Sequence, residues 1–238
     1  MKIEVLYEDN HLIAVAKPAG LLTQGDETGD ISLYDMVKDY IRIKKGKGSL
    51  LAGNAKPRSV PPSREGGAAT GVFLGLIHRL DRPVSGIILF AKTSKGAARL
   101  SEQFRNQKIE KIYHAIILGK PGRNKGVLTS FLKKDQKNKK SEIGKGEKLA
   151  ELFYEVISSN KKYSLLKIKM KTGRFHQIRA QLASVGYPIL GDIKYGAPYS
   201  LPDKNIALCA TSLSFQTATT KEKKEISIPI PTEWKKYI

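Results

Sequence analysis

Asp81 is an acid in a chain of bases, and its neighbours make it a candidate for chemistry. It lies in HRLDRPVSG, residues 78–86, between the apolar runs VFLGLI and IILFA. A carboxylate held in its ionised form can attack carbon as a nucleophile or remove a proton as a base. Most loop acids do neither and are solvated or cap a helix, so the loop itself matters. Pro83 restricts its backbone and Gly86 permits an unusual turn, which predicts a stiff connection at a sheet end.

A second cluster lies in GRFHQIRAQLASVGYPILGD, residues 173–192, which brings Arg174, His176, Gln177 and Arg179 to the junction of a strand and a helix. Arg179 follows the core position Ile178 and is expected near the core boundary, where a guanidinium needs a carboxylate partner. The third candidate is Tyr113 in KIYHAIILG; taken alone, it reads as an ordinary strand tyrosine of the core.

The elements that must carry these residues are legible in the apolar pattern. IEVLY and HLIAVA flank Glu8-Asp9-Asn10 and predict an opening hairpin. In ISLYDMVKDYIRI, the residues Leu33, Met36, Val37, Tyr40 and Ile41 recur at helical spacing, with Asp30 or Ser32 as cap. Ser94 is the expected cap of SKGAARLSEQFRNQ, whose apolar face is Ala97, Leu100, Ser101 and Phe104. Strict alternation of Leu166, Ile168 and Met170 with Lys167, Lys169 and Lys171 predicts a half-buried strand with a basic face. Ile178, Leu182 and Val185 then mark a helix that Gly186 stops. IALCATSLSF and EISIPIP return to strand patterns before Trp234. Two stretches lack such patterns. Residues 44–70, rich in Gly, Pro and bases, are either without fixed structure or in contact with phosphates. The charged run at 133–148 reads as a solvated loop or hairpin tip, with RNA contact a secondary reading. The mix predicts an α+β fold with a central, mixed but mostly antiparallel sheet flanked by helices and loops, in one domain spanning 1–238.

Composition narrows the partner. The 42 Lys and Arg against 22 Asp and Glu leave a net charge of +20. A lysine-rich stabilising surface usually carries many acids as well, so the imbalance points to a polyanion, RNA or DNA. Cys209 is the sole cysteine, which excludes an intrachain disulfide and a cysteine-cluster zinc site. His11, His78, His114 and His176 have no metal-ligand spacing, so no metal is expected. Without a signal-like N-terminus or a membrane-length apolar run, the expected location is the cytoplasm.

HRLDRPVSG, KIYHAIILG and GRFHQIRAQLASVGYPILGD, in that order, together with the opening VLYEDNHLIAVAKPAGL, resemble the motifs of the RluA-type RNA pseudouridine synthases. The resemblance spans residues 3 to about 215. It departs at Ala16, where relatives usually carry asparagine, at Pro83-Val84, and in the 44–70 insert. The S4 RNA-binding domain that precedes the catalytic domain in many relatives is not expected here, so target choice is expected to rest on the catalytic domain and its loops. The resemblance implies that uridine in ribosomal or transfer RNA is isomerised to pseudouridine without metal or organic cofactor. Nothing in the sequence demands more than a monomer. The resemblance makes Asp81 the essential carboxylate, Arg179 the guanidinium that pairs with it, and Tyr113 the residue that stacks on the uracil. Arg79 would hold the space vacated by the flipped base, and Arg174 and His176 would lie on the RNA side, although His78, Leu80 and His176 can equally serve to shape the loops. The competing reading is a basic RNA-binding or ribosome-assembly protein that keeps the fold without catalysis. A nuclease would call for clustered acids or a histidine pair, and neither is evident.

Overall fold

The computed structural model describes residues 2–49, 51, 71–144 and 148–238; most of the 44–70 stretch lies outside the described residues. They form two compact units, Met1–Lys108 with Phe215–Ile226, and Ile109–Ser214 with Ser227–Ile238.

In the first unit, β1 (Glu4–Glu8) and β2 (Leu12–Lys17) form the expected hairpin. Asp9 closes it, its Oδ1 accepting from the backbone N–H of both His11 and Leu12 at 2.7 Å. Helix α1 (Leu33–Lys44) starts at Ser32, whose capping box with Asp35 decides between the two cap candidates. The apolar run after residue 71 forms only a two-residue strand, β3 (Gly75–Leu76), rather than a full one. A Cβ at Gly75 would stand 3.1 Å from the Cβ of Ala97, a tight approach between β3 and a residue of the next helix. β4 (Ser85–Ala91) pairs antiparallel with β2 and β3. Leu12–Val15 and Ile88–Ala91 are fully buried, so these strands read as continuous apolar runs. Helix α2 (Ser94–Arg105) is capped by Thr93, not by Ser94, through a 3.1 Å bond from Gly96 N–H. Glu8 ties the unit's edges together: Lys44 Nζ lies 2.7 Å from Oε2 and Lys92 Nζ 2.5 Å from Oε1.

In the second unit, β5 (Glu110–Leu118), β6 (Lys125–Asp135), β7 (Lys140–Ile143), β8 (Lys148–Ser159), β9 (Tyr163–Met170) and β10 (Leu208–Gln216) pair in the order β10-β5-β9-β8-β6-β7, all antiparallel. The charged run at 133–148 becomes the β6–β7 hairpin tip, with 145–147 outside the described residues. On β9 the alternation holds: Leu166 and Ile168 are fully buried, each stabilising the unit by about 1.5–3 kcal/mol. The basic face is partly neutralised, because Lys169 meets Glu110 at 3.5 Å and Lys171 meets Glu151 at 2.8 Å. Helix α3 (Gln177–Ser184) lies against this sheet, its Ala180 packed with Leu132 and Ala150. Val185, expected on the buried face, caps the helix and is 46% exposed, because the helix ends one residue earlier. The last strand, β11 (Lys223–Ser227), which lies in the first unit but for its final residue, stops before Pro229 and Pro231. The α+β expectation holds, with antiparallel ladders in both units and parallel pairing in the isolated bridge Leu22↔Ser32. Among the described residues no helix is long and apolar enough to cross a membrane.

Candidate active site

The loop that carries Asp81 is fixed on both sides. Before it, the Leu80 carbonyl accepts from Thr23 Oγ1 at 2.7 Å, and Leu80 itself is 6% exposed. After it, the Arg82 carbonyl accepts from Gly20 N–H at 2.8 Å, and Arg82 Nε donates to the Gly20 carbonyl at 3.0 Å. Val84 N–H closes the turn onto the Asp81 carbonyl at 3.0 Å, and Gly86 adopts φ +126°, a backbone open only to glycine. His78 supports the loop from below: it stacks on Phe104 with ring centres 5.1 Å apart, and its Nε2 accepts from Leu89 N–H at 3.0 Å. Asp81 is half-buried and Arg79 is exposed.

Lys17 completes this frame, a role that its sequence context hides. It ends β2, is 1% exposed, and its Nζ donates to the carbonyls of Pro18 at 3.0 Å, Leu21 at 2.6 Å and Arg82 at 3.1 Å. One ammonium thus ties the KPAGL turn to the Asp81 loop, and its three N–H groups match three acceptors. Burial pushes Lys17 down to about 7, the Asp81 charge pulls it up, and Arg82 pushes it down again. The lysine therefore feels the candidate catalytic carboxylate directly. The signal available in the sequence was a lysine ending a fully apolar strand.

In the second unit, the turn before α3 is built around Gln177, which is 2% exposed. Its Oε1 accepts from Thr172 Oγ1 at 2.8 Å and from Arg174 N–H at 3.0 Å, while its Nε2 donates to the Glu151 carbonyl at 3.1 Å. Gln181, one turn on, donates to the carbonyls of Leu128 and Ala150 and to Ser130 Oγ, which pins the helix to β6 and β8. His176 holds the helix start at φ +49°, a left-handed conformation that costs a non-glycine residue about 1–3 kcal/mol.

That strained turn places Arg179, which is 5% exposed, beside Asp192. Nε donates to Oδ2 at 2.7 Å and Nη2 to Oδ1 at 2.8 Å, a two-pronged pair in which Asp192 is 1% exposed. The partner carboxylate that Arg179 needs inside its own unit is thus Asp192, a residue at the end of the quoted motif that the sequence reading left without a role. Arg179 Nη1 donates to His176 Nε2 at 3.2 Å, so the histidine's proton sits on Nδ1, which donates to the Tyr195 hydroxyl at 2.9 Å. Burial, then the charges of Arg179, Lys194 and Lys134, push His176 down to about 3, so the ring is neutral. Phe175 stacks on it at 3.8 Å, and the Arg179 guanidinium lies 5.0 Å from the Tyr195 ring centre. Arg174 is exposed, its Nε donating to the Leu149 carbonyl at 3.0 Å. Tyr113 stands half-buried on β5, in register with Ala210 on one side and Ile168 on the other.

Two charged centres are therefore built with care: a loop carboxylate in the field of a buried lysine, and a buried arginine oriented by a carboxylate, a neutral imidazole and an aromatic ring. Comparison with known proteins gives these centres a context. The model of the RNA pseudouridylate synthase family matches residues 11–184. An uncharacterized RNA pseudouridine synthase of Bacillus subtilis (strain 168) is 30% identical over 238 residues, covering 98% of this chain and 70% of the relative. Ribosomal large subunit pseudouridine synthase C of Rickettsia prowazekii is 32% identical over 232 residues, covering 94% of this chain and 68% of the relative. The solved structure of human RNA Pseudouridylate Synthase Domain Containing 4 shares the fold, with a TM-score of 0.71 at 23% identity over 97% of this chain and 90% of that one. By the match across most of its length, this chain belongs to the RNA pseudouridylate synthase family and is an RNA pseudouridine synthase, an isomerase.

Proposed function

We propose that the chain converts specific uridines of structured RNA to pseudouridine, with large-subunit ribosomal RNA as the first substrate to test and transfer RNA as the second. The ribosomal choice is supported by relatives named ribosomal large subunit pseudouridine synthase. In this reaction the C1′–N1 bond breaks with its electron pair leaving on N1. The uracil turns, C5 joins C1′, and the proton on C5 is lost as N1 gains one. Atoms and electrons balance within the substrate, so no oxidant, reductant or energy source is consumed.

Asp81 is the essential carboxylate, either as nucleophile at C1′ or as the base that takes the 2′ proton. Arg179 supports the ionised form of that carboxylate, and Tyr113 stacks on the uracil. Arg79 fills the space left by the flipped base, and Arg174 and His176 contribute on the RNA side, Arg174 by phosphate contact and His176 by shaping the loop. The chain acts as a monomer in the cytoplasm. The observation that carries the reading is the clamp on the Asp81 loop, where Thr23, Gly20 and Lys17 hold both flanking carbonyls. Such rigidity is what a reacting carboxylate needs and a merely solvated acid does not.

The test is to map pseudouridine at single-nucleotide resolution in cells with and without the gene, and to incubate purified protein with the unmodified RNA. One or more uridines should lose the modification in the deletion and regain it in vitro. Asp81→Asn should keep RNA affinity and lose turnover by about a thousandfold. If no site changes and the purified protein converts no RNA, the enzyme reading gives way to that of a basic RNA-binding protein on the same fold.

A further inference from the structure

Of the chain's ten tyrosines, Tyr163, Tyr187, Tyr199 and Tyr237 gather in one place in the second unit. They lie at the far end of β5 from Tyr113, where β5 leads through Gly119 into the connection to β6. Leu118 is in register with Tyr163, and Gly119 N–H donates to the Lys162 carbonyl at 2.8 Å. The space beside Gly119 is closed by the Tyr187 ring, 3.5 Å from where a Cβ would stand. The hydroxyls of Tyr163 and Tyr199 are 2.6 Å apart, and Tyr163 meets Tyr237 edge-on with ring centres 5.5 Å apart. Asn160 Nδ2 donates to the Tyr237 carbonyl at 2.9 Å, fastening the last turn of the chain to the β8–β9 connection.

The segments 119–124, 160–163 and 232–238 that adjoin these rings carry Lys120, Arg123, Lys161, Lys162, Lys235 and Lys236, all exposed, and one acid, Glu233, while the segment of Tyr199 carries Asp203. Lys236 Nζ lies 5.1 Å from the Tyr237 ring centre. Among the described residues, the ion pairs fall on other side chains. Elsewhere in the unit some lysines meet glutamates, as Lys125 meets Glu155 at 2.7 Å and Lys171 meets Glu151 at 2.8 Å, while others such as Lys134 and Lys167 stand in none of these ion pairs. What sets this place apart is that its bases adjoin the tyrosine rings. A purely structural anchor for the chain end would need the tyrosine rings and Asn160, but not a rim of uncompensated bases that repel one another.

We propose that this tyrosine and lysine surface is a second RNA-binding platform, which takes a single-stranded segment flanking the modified uridine. Six residues of extended chain separate Tyr113 from Gly119, which puts the platform about 20 Å along β5 from the proposed uracil site. Aromatic faces interleaved with bases suit a single strand, because every nucleobase can stack and every phosphate can meet a cation. Tyr199, 42% exposed, offers its ring to solvent. Its hydroxyl is pushed up to about 12, first by the bond to Tyr163 and then by burial, so no phenolate opposes phosphate there. The inference rests on the proposed function only in naming the bound segment as part of the substrate.

The platform is tested with a fluorescent single-stranded RNA of about 12 nucleotides that lacks uridine and so offers the isomerisation site nothing to react. The Lys161→Glu, Lys162→Glu pair should weaken binding about tenfold or more and flatten the salt dependence by about 1.4 in log–log slope. A control pair on α2, Lys95→Glu with Arg105→Glu, makes the same change in charge and should cost about threefold or less. Tyr199→Ala should weaken binding about fivefold with the slope unchanged, and Tyr199→Phe, which keeps the ring, should bind like the parent. Equal losses in the two charge pairs, or full affinity in Tyr199→Ala with its melting point intact, overturn the platform. Isomerisation by the unaltered protein is measured alongside: binding as expected without pseudouridine formation defeats the enzyme reading alone, and normal isomerisation with unaffected binding in the variants defeats the platform alone.

Discussion

Arg179 and Asp192 are joined by two parallel hydrogen bonds of 2.7 and 2.8 Å in a site where both side chains are almost wholly shielded from water. Two-pronged pairing fixes the plane of a guanidinium, so Asp192 sets the direction in which the third nitrogen of Arg179 points.

Removing one partner of a buried pair leaves the other charge uncompensated. Asp192→Ala should therefore lower stability by about 3–5 kcal/mol. The urea midpoint reads this directly, with an unchanged denaturant slope showing that the native state stays compact. Arg179→Lys should also be poorly tolerated, because an ammonium cannot reproduce the fork.

His176 gives the molecule an acid limit. Its folded value lies near 3, held down by burial and by Arg179, against an ordinary value of 6.5. Between those two values the unfolded chain binds a proton that the folded chain refuses, so stability falls as pH drops from about 6.5 towards 3. His114 is displaced in the same direction by burial and by Lys167. In NMR titrations the His176 ring should stay neutral down to pH ~5, and protonation of its ring at or above pH ~6 would contradict the Arg179 contact.

Lys17 acts at the opposite end of the pH scale. Its folded value is about 7 against an ordinary 10.5. The unfolded chain holds the extra proton between these values, so this group's contribution raises stability as pH climbs from about 7 to 10.5. Lys17→Met should remove that part of the rise and loosen the Asp81 loop, lowering kcat more than it raises KM. Asp81→Asn should lower the Lys17 value further, since the Asp81 charge pulls it upward. Titration of the labelled Lys17 side chain by NMR measures the change.

Gly96 lies inside α2, where alanine would ordinarily favour the helix by about 1 kcal/mol. Here a Cβ would stand 2.7 Å from the backbone carbonyl oxygen of His11. Gly96→Ala should therefore destabilise by about 1–3 kcal/mol, opposite in sign to propensity. Thermal unfolding of the single variant decides the sign.

What the sequence determined by itself was local. Side-chain period placed the β1–β2 hairpin, the three helices and the alternating face of β9, because burial on one side of an element leaves its mark every second or every third to fourth residue. Three ordered motifs also made Asp81, Tyr113 and Arg179 the candidates that the proposed function uses. The same local signals misplaced the α2 cap by one residue, and the apolar run VFLGLI yielded only the two-residue strand Gly75–Leu76. Tertiary structure alone decided where the buried charges find partners: that Lys17 reaches across to the Arg82 carbonyl, and that Arg179 takes Asp192. Such choices depend on which polar groups the folded chain strands away from water together, and no periodicity along the chain encodes that.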